Sequence, residues 1–197
     1  MENIVTYCFL DHLPKVPSDL LEEFTQYKAS APILKIPPAD MTKPNGREVH
    51  LATYERYPIT GKLREWLEFN IVRGATDYGA SFNNAEENAN AVHDVHLDYT
   101  RHYSLIYVIT RGGGSATTRF WQEEGQGLER LDINVHVPPR ELNSYLFGKD
   151  LKVIDSVEIP EGRWCLLNAK IIHDVCNLSG VRSSIQISLP KDNKFVN

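Results

Sequence analysis

The second half of the chain consists of short runs of β-branched and aromatic residues, and this pattern restricts the fold more than any other feature. From about residue 92 these runs cover 102–110, 116–122, 131–137, 151–158, 163–168, 171–177 and 181–189. Glycine and proline clusters separate several of them, and the glycines at 112–114 are predicted to form a hairpin turn. Many short strands divided by turn residues are typical of a sandwich or barrel. We therefore predict a mainly β protein with flanking helices and a jelly-roll core of roughly eight strands.

The first ninety residues have a different, mixed pattern. Apolar residues recur at helical spacing between 20 and 27, behind Ser18 or Asp19 as a capping residue, and again between 61 and 72. Residues 5–10 are compatible with a strand, and the proline- and glycine-rich stretch 37–46 is predicted to be a loop. We predict one domain over 1–197, with a helical and mixed part at 1–90 and the β core at 91–190.

The composition limits the cellular compartments and the classes of binding partner that we expect for this protein. The chain has 197 residues, a formal net charge of -5 and no basic stripe, which argues against a nucleic-acid partner, although one basic groove can sit on an acidic protein. Its 3 cysteines are odd in number and have no metal-like spacing, which favours reduced thiols. No apolar run approaches the ~20 residues that cross a bilayer, and the N-terminus does not resemble a signal peptide. We expect a cytoplasmic protein with no membrane partner.

The stretch "HDVHLDYTRHYSLIYVIT", residues 93–110, places histidines and aspartates at the start of an apolar run. On a strand alternate side chains share a face, so His96 and Asp98 point the same way, roughly 7 Å apart, and can converge on one ion. Asp94 shares that face as well, so Asp94 with His96 is a competing pair that the spacing leaves open. His93 would face away from both on a regular strand.

The C-terminal segment adds two further features. His173 lies inside the apolar run 171–175, and residues 181–189 alternate so that Arg182, Ser184, Gln186 and Ser188 share one face. Two imidazoles and one carboxylate leave open positions on a metal, which suits non-haem Fe(II). A nearby guanidinium fork with a serine hydroxyl matches the carboxylate of a small keto-diacid.

This combination resembles the Fe(II)- and 2-oxoglutarate-dependent dioxygenases. Their pattern is His-x-Asp, a distal histidine and an Arg-x-Ser pair about nine or ten residues later; here it is matched by His96-Leu97-Asp98, His173 and Arg182-Ser183-Ser184. The likeness covers residues 96–189. The strand "YSLIYVIT" and the glycine-rich turn before "TTRFW" look most like the prolyl 4-hydroxylase branch, with the aspartyl/asparaginyl hydroxylases as a looser comparison.

The resemblance implies a double-stranded β-helix fold and a set of roles. His96, Asp98 and His173 would bind Fe(II), Arg182 and Ser184 would hold the distal carboxylate of 2-oxoglutarate, and Tyr107 would contact the same carboxylate. With O2, such a protein oxidises a C–H bond of a protein side chain or small metabolite while 2-oxoglutarate becomes succinate. An aspartate at 98, where halogenating relatives carry a small residue, favours hydroxylation. Residues 1–90 would shape substrate access.

Two other functional hypotheses are compatible with the same residues. A cupin-like metal protein would share the jelly roll and the ion, although the histidine cluster near a glycine-rich motif that is usual there is absent from the sequence. A non-catalytic binding module would use His96, Asp98 and His173 for structure and Arg182 for an ordinary partner contact.

Overall fold

The computed structural model of the protein describes residues 5–36, 52–98, 101–124, 130–133, 142–145 and 151–196. Two helices and thirteen strands lie in these ranges. In chain order they are β1 (Tyr7–Phe9), α1 (Ser18–Tyr27), β2 (Leu34–Ile36), β3 (Thr53–Pro58), α2 (Gly61–Asn70), β4 (Asp77–Asn84), β5 (Ala91–Asp98), β6 (Tyr103–Arg111), β7 (Thr117–Glu123), β8 (Arg130–Ile133), β9 (Leu142–Tyr145), β10 (Leu151–Val157), β11 (Trp164–Asn168), β12 (Ile172–Leu178) and β13 (Val181–Leu189).

The strands form two antiparallel sheets that face each other. One has the order β1-β11-β6-β13-β4-β3-β2 and the other the order β10-β7-β12-β5-β9-β8. Residues of both sheets line one pocket between them, and the chain passes repeatedly from one sheet to the other. This is a double-stranded β-helix, so the predicted jelly-roll core is confirmed.

Strand β13 shows how the alternating pattern positions the site. Its polar residues line a pocket between the two sheets. Ile185, Ile187 and Leu189 point the other way and are buried in the main hydrophobic cluster. The face assignment predicted from the sequence for this strand is therefore correct, because both faces are covered and a shift of one residue would exchange them.

Both helices pack on the outer face of the larger sheet. Leu63 and Leu67 of α2 are fully buried, and Leu20 and Phe24 of α1 join the same cluster. The sequence predicted Ser18 or Asp19 as the N-cap of α1, and this prediction is wrong. Pro17 occupies the N-cap position with φ -56° and ψ 143°, and Ser18 is already helical. No helix among the residues described has the length and apolar character to cross a bilayer.

The N-terminal part contributes more to the core than predicted. Strand β4 pairs with β13 and β3 pairs with β4, so strands from the predicted N-terminal part, 1–90, extend the larger sheet. The sequence of β4, DYGASFNN, has few β-branched residues, and its extended form depends on the two neighbouring strands. The glycines at 112–114 join β6 to β7 in the opposite sheet and do not close a hairpin, which corrects that prediction.

Two predictions fall partly or wholly outside the residues described. The predicted strand 131–137 is described only as β8, Arg130–Ile133, and the predicted loop 37–46 lies beyond the described ranges. The predicted strand 5–10 is present as β1, Tyr7–Phe9, and pairs with β11.

Helix α2 provides a direct test of the packing. Leu67→Ala is expected to lower the free energy of unfolding by about 2–5 kcal/mol, because Leu67 is 0% exposed and its truncation leaves a cavity. Phe69→Ala, on the same helix but 82% exposed, should change the free energy by less than about 0.5 kcal/mol. Urea unfolding of both variants measures the difference, and equal effects would contradict the described orientation of α2.

Candidate metal centre

Three potential metal ligands converge on the inner face of the smaller sheet. His96 and Asp98 lie on β5, and His173 lies on β12, where its Cα is the register partner of His96. One ligand atom from each residue lies within 4.8 Å of the others. His96 Nε2 is 3.9 Å from Asp98 Oδ1, and His173 Nε2 is 3.7 Å from Asp98 Oδ2. At these separations the three groups are close enough to be ligands of one shared ion.

The surroundings prepare these groups for a cation. His173 Nδ1 is 2.8 Å from the carbonyl oxygen of Ile171; with Nδ1–H as donor, the Nε2 lone pair is directed at the centre. Burial lowers the pKa of His173 to about 4, and His96 adds to the effect, so the imidazole is neutral near pH 7. Burial alone would raise the pKa of Asp98, but Arg101, His96 and His173 hold it well below its ordinary value. Neutral imidazoles and an ionised carboxylate are the forms that bind metal.

Asp98 is held by groups that the sequence analysis missed. Arg101 donates from Nε to Asp98 Oδ2 at 2.7 Å, and its Nη2 lies 2.6 Å from the same oxygen. Lys170 Nζ donates to the Asp98 carbonyl oxygen at 3.0 Å. Both contacts to Asp98 Oδ2 therefore come from the guanidinium of Arg101. The position of Arg101 three residues after Asp98 was the available signal, but it lies beyond the strand, where alternation gives no direction.

A β-bulge brings a further histidine to the pocket. His173 pairs with His96, but Val175 pairs with His93, so β5 has one more residue than β12 between these pairs. The extra residue turns His93 toward the same pocket as His96, and the ring centroids are 4.9 Å apart. The expectation that His93 faces away is wrong because the strand is not regular. The side chain of the competing ligand Asp94 lies outside the part of the chain described.

The facing sheet supplies Arg182 and Ser184 to the same pocket. Arg182 is 3% exposed, and its Nη1 is a buried atom without a hydrogen-bond partner in the described part of the chain. Burial, with the help of Arg111, lowers the pKa of Arg182 to about 10, so the guanidinium is still charged near pH 7. Gly112 packs directly on this residue: a Cβ there would lie 2.7 Å from the Arg182 Cβ.

Tyr107 does not reach the pocket, which corrects its predicted contact. It lies on the opposite face of β6, within the main hydrophobic cluster, with its ring centroid 4.9 Å from that of Trp164. Along β6 the pocket-lining residues are Ser104 and Ile106, so the odd-numbered positions Tyr103 and Tyr107 face the helices. The prediction assigned the wrong face of β6 to the site.

The metal-free protein should lose stability as the pH falls from 6.5 toward 4. The folded-state pKa of His173 is about 4, below the ordinary value of 6.5, so the unfolded chain takes up the proton first. Burial also lowers the pKa of His93 well below 6.5, with the same sign. Urea unfolding between about pH 7 and 4 measures the slope. His173→Gln should flatten it, and the exposed His12→Gln should not; equal slopes in all three proteins would contradict this assignment.

Comparisons with known proteins bear on the fold. No protein-family model matches the sequence, and no curated protein matches it either. Among solved structures, the chain is similar to an oxidoreductase of the 2OG-Fe(II) oxygenase family from Burkholderia pseudomallei, with a TM-score of 0.53, 11% identity and coverage of 96% of this chain and 87% of that one. It is also similar to a Pseudomonas putida prolyl-4-hydroxylase, with a TM-score of 0.46, 15% identity and coverage of 96% and 95%.

Fold and site together define a double-stranded β-helix protein with a buried His-Asp-His cluster that could hold a metal ion. Its fold is that of the Burkholderia 2OG-Fe(II) oxygenase-family oxidoreductase. The resemblance drawn from the sequence therefore agrees with the architecture.

Proposed function

We propose that this protein is a non-haem Fe(II)- and 2-oxoglutarate-dependent oxygenase that hydroxylates a peptide side chain or a small molecule. The balanced reaction converts substrate C–H, O2 and 2-oxoglutarate into C–OH, CO2 and succinate. His96, Asp98 and His173 would bind the iron, and Arg182 with Ser184 would bind the cosubstrate.

One observation carries this proposal: a charged, buried and incompletely hydrogen-bonded arginine lines the same pocket as the His-Asp-His cluster. Leaving a buried donor unsatisfied costs about 1–3 kcal/mol, more for a charged group, so Arg182 Nη1 calls for an anionic acceptor. Ser104 Oγ and Thr118 Oγ1, which are also buried without a partner in the described ranges, line the same pocket. A metal and an arginine in one pocket match the two ends of a keto-diacid.

The donor set fits the proposed groups. Two imidazoles and one carboxylate would hold Fe(II) and would leave positions open on it, which suits oxygenase chemistry. When bound, Fe(II) supplies O2 activation and 2-oxoglutarate supplies two electrons through its decarboxylation. Arg101 orients the carboxylate of Asp98, and the Ile171 carbonyl holds the ring of His173 through Nδ1. Arg182 would set the direction in which the cosubstrate binds.

Anaerobic titration tests the proposal. Fe(II) added to the full chain with 2-oxoglutarate should produce the weak visible charge-transfer band of a chelated keto acid, and O2 should then yield succinate through uncoupled turnover. Arg163→Gln, which alters an exposed arginine paired with Asp11, should behave as wild type.

The same titration separates the two rivals. A cupin-like metal protein would bind the ion without the 2-oxoglutarate band. A non-catalytic module would give neither the band nor succinate, and either result would overturn the proposed function.

A further inference from the structure

A second buried arginine lies at the far side of the pocket from β6. Arg56 of β3 is 1% exposed and lines the pocket together with Tyr54, His93 and Gln186. We refer to these four residues as the β3 subsite. The roles assigned to the cluster at His96 and to Arg182 do not use them.

The guanidinium of Arg56 is held in one orientation. Nη1 donates to Ser81 Oγ at 3.1 Å and to Gln186 Oε1, and Nη2 donates to Asp77 Oδ2 at 2.5 Å. Its Nε is a buried donor without a hydrogen-bond partner in the described part of the chain. A charged planar group that is held by two of its nitrogens and has an unsatisfied donor on the third is suited to donate a hydrogen bond to one more anionic oxygen.

Gly79 makes room for this guanidinium. A Cβ at Gly79 would lie 2.3 Å from Arg56 Cζ and 2.5 Å from Nε. The glycine has no left-handed backbone conformation, so space is the reason for it and not flexibility. The backbone of β4 is thus shaped to carry an arginine on the pocket wall.

The β3 subsite is continuous with the candidate metal centre. Tyr54 stacks on His93 with ring centroids 4.8 Å apart, and His93 lies 4.9 Å from His96. Tyr54 OH donates to Gln186 Oε1 at 3.1 Å, and this oxygen also accepts from Arg56. A small molecule in contact with Arg56 and the Tyr54–His93 wall would therefore have a carbon within reach of the metal centre.

The charges of the pocket favour an acid as the occupant. The charged lining residues among those described are Arg56, Asp98, Arg101 and Arg182. Arg101 pairs with Asp98, and Asp77 pairs with Arg56. Arg56, Arg101 and Arg182 carry three positive charges and Asp77 and Asp98 carry two negative ones, while Fe(II) and the dianion of 2-oxoglutarate together add none, so the ionised side chains leave the pocket as a whole with one net positive charge. One substrate carboxylate would neutralise it.

We infer that the β3 subsite binds a carboxylate of the primary substrate, and that this substrate is a small carboxylic acid. The inference rests on the proposed function, because it concerns the second molecule to enter the same pocket. The small size follows from the near-complete burial of Arg56, which an acidic side chain of a folded protein partner would not reach.

The test uses a matched pair of probes, propionate and propionamide, which share shape and differ in charge. The full chain is loaded with Mn(II) and saturating 2-oxoglutarate, so that Arg182 is occupied, and the relaxation enhancement of the probe methyl protons by Mn(II) is measured by NMR. Propionate should show saturable enhancement, with propionamide about tenfold weaker or more, because a hydrogen bond to a charged group is lost. Equal binding of both probes, or no saturable binding of either, would overturn the inference.

Variants assign the effect to the subsite. Arg56→Gln and Gly79→Ala should each weaken propionate binding by about tenfold or more, since one removes the charge and the other displaces it. Arg56→Lys should retain part of the binding, and the exposed Arg163→Gln should retain all of it. Unchanged propionate binding by folded Arg56→Gln would mean that Arg56 only pairs with Asp77. If that variant does not fold, the two probes on the wild-type chain still decide the question.

Failure here is distinguishable from failure of the proposed function. If Mn(II) and 2-oxoglutarate bind and propionate does not, the β3 subsite inference alone is wrong. If 2-oxoglutarate does not bind, the proposed function is wrong. Saturation-transfer NMR on the metal-free chain then measures whether the β3 subsite still binds propionate more tightly than propionamide. An acidic peptide that binds where propionate does not would assign the carboxylate site to a protein substrate and overturn the small-acid assignment.

Discussion

Asp98→Ala and His173→Ala are each expected to abolish formation of succinate from 2-oxoglutarate while leaving a folded protein. Each change removes one of three converging ligands, which should weaken metal binding and alter the positions that stay open on the ion. Loss of a residue that hydrogen-bonds to a metal ligand already lowers metal affinity or activity roughly 10–100-fold, and loss of the ligand itself should have a larger effect. Succinate assayed with saturating Fe(II) measures activity, and circular dichroism measures folding.

Asp94→Ala is the matched control for this prediction, because Asp94 is the carboxylate that sequence spacing alone left in competition with Asp98. It should keep its activity. Asp98→Asn serves as a second variant, since truncation to alanine leaves the partly buried Arg101 without its carboxylate. An inactive Asp94→Ala together with an active Asp98→Ala would show that the wrong carboxylate was chosen.

Arg182→Gln is expected to raise the 2-oxoglutarate concentration needed for half-maximal turnover by roughly 10–150-fold, the cost of one hydrogen bond to a charged group. Metal binding should not change, because Arg182 is on the facing sheet and contacts none of the three ligands in the described contacts. Succinate formation as a function of 2-oxoglutarate concentration gives the first quantity, and Mn(II) titration gives the second.

Ser184→Ala should have a smaller effect than Arg182→Gln, since it removes a neutral hydroxyl from the same wall. Arg182→Lys should restore the charge without the planar fork, and so only part of the affinity. An unchanged requirement for 2-oxoglutarate in Arg182→Gln would remove the basis for assigning the cosubstrate to this arginine.

The parts of the site that lie on regular strands could be predicted from the sequence. His96 with Asp98, and Arg182 with Ser184, are pairs two residues apart, so each pair shares a face on any regular strand. Their order along the chain then matched a known pattern. The core face of β13 followed from the same alternation.

The remaining parts depend on irregular geometry or on tertiary contacts. His93 is turned inward by a bulge that no local residue marks, and Arg101 follows the end of β5. Arg56 belongs to a strand whose partner, β4, has small polar residues and weak strand propensity. Its role also needs the space above Gly79, which appears only when β3 and β4 are paired. Tyr107 was assigned from the family resemblance alone, and β6, YSLIYVITR, has apolar residues on both faces, so alternation did not show which face its tyrosines occupy.

The positions of His96 and His173 have a consequence for turnover of the protein in the cell. They lie on adjacent strands that are distant in the chain, so an ion between them would act as a removable cross-link across a long loop. A ligand that binds only the native chain shifts the unfolding equilibrium in proportion to the logarithm of its concentration. Metal supply would thus set the lifetime of this protein against proteases, and shortage of metal would remove the protein as well as its activity.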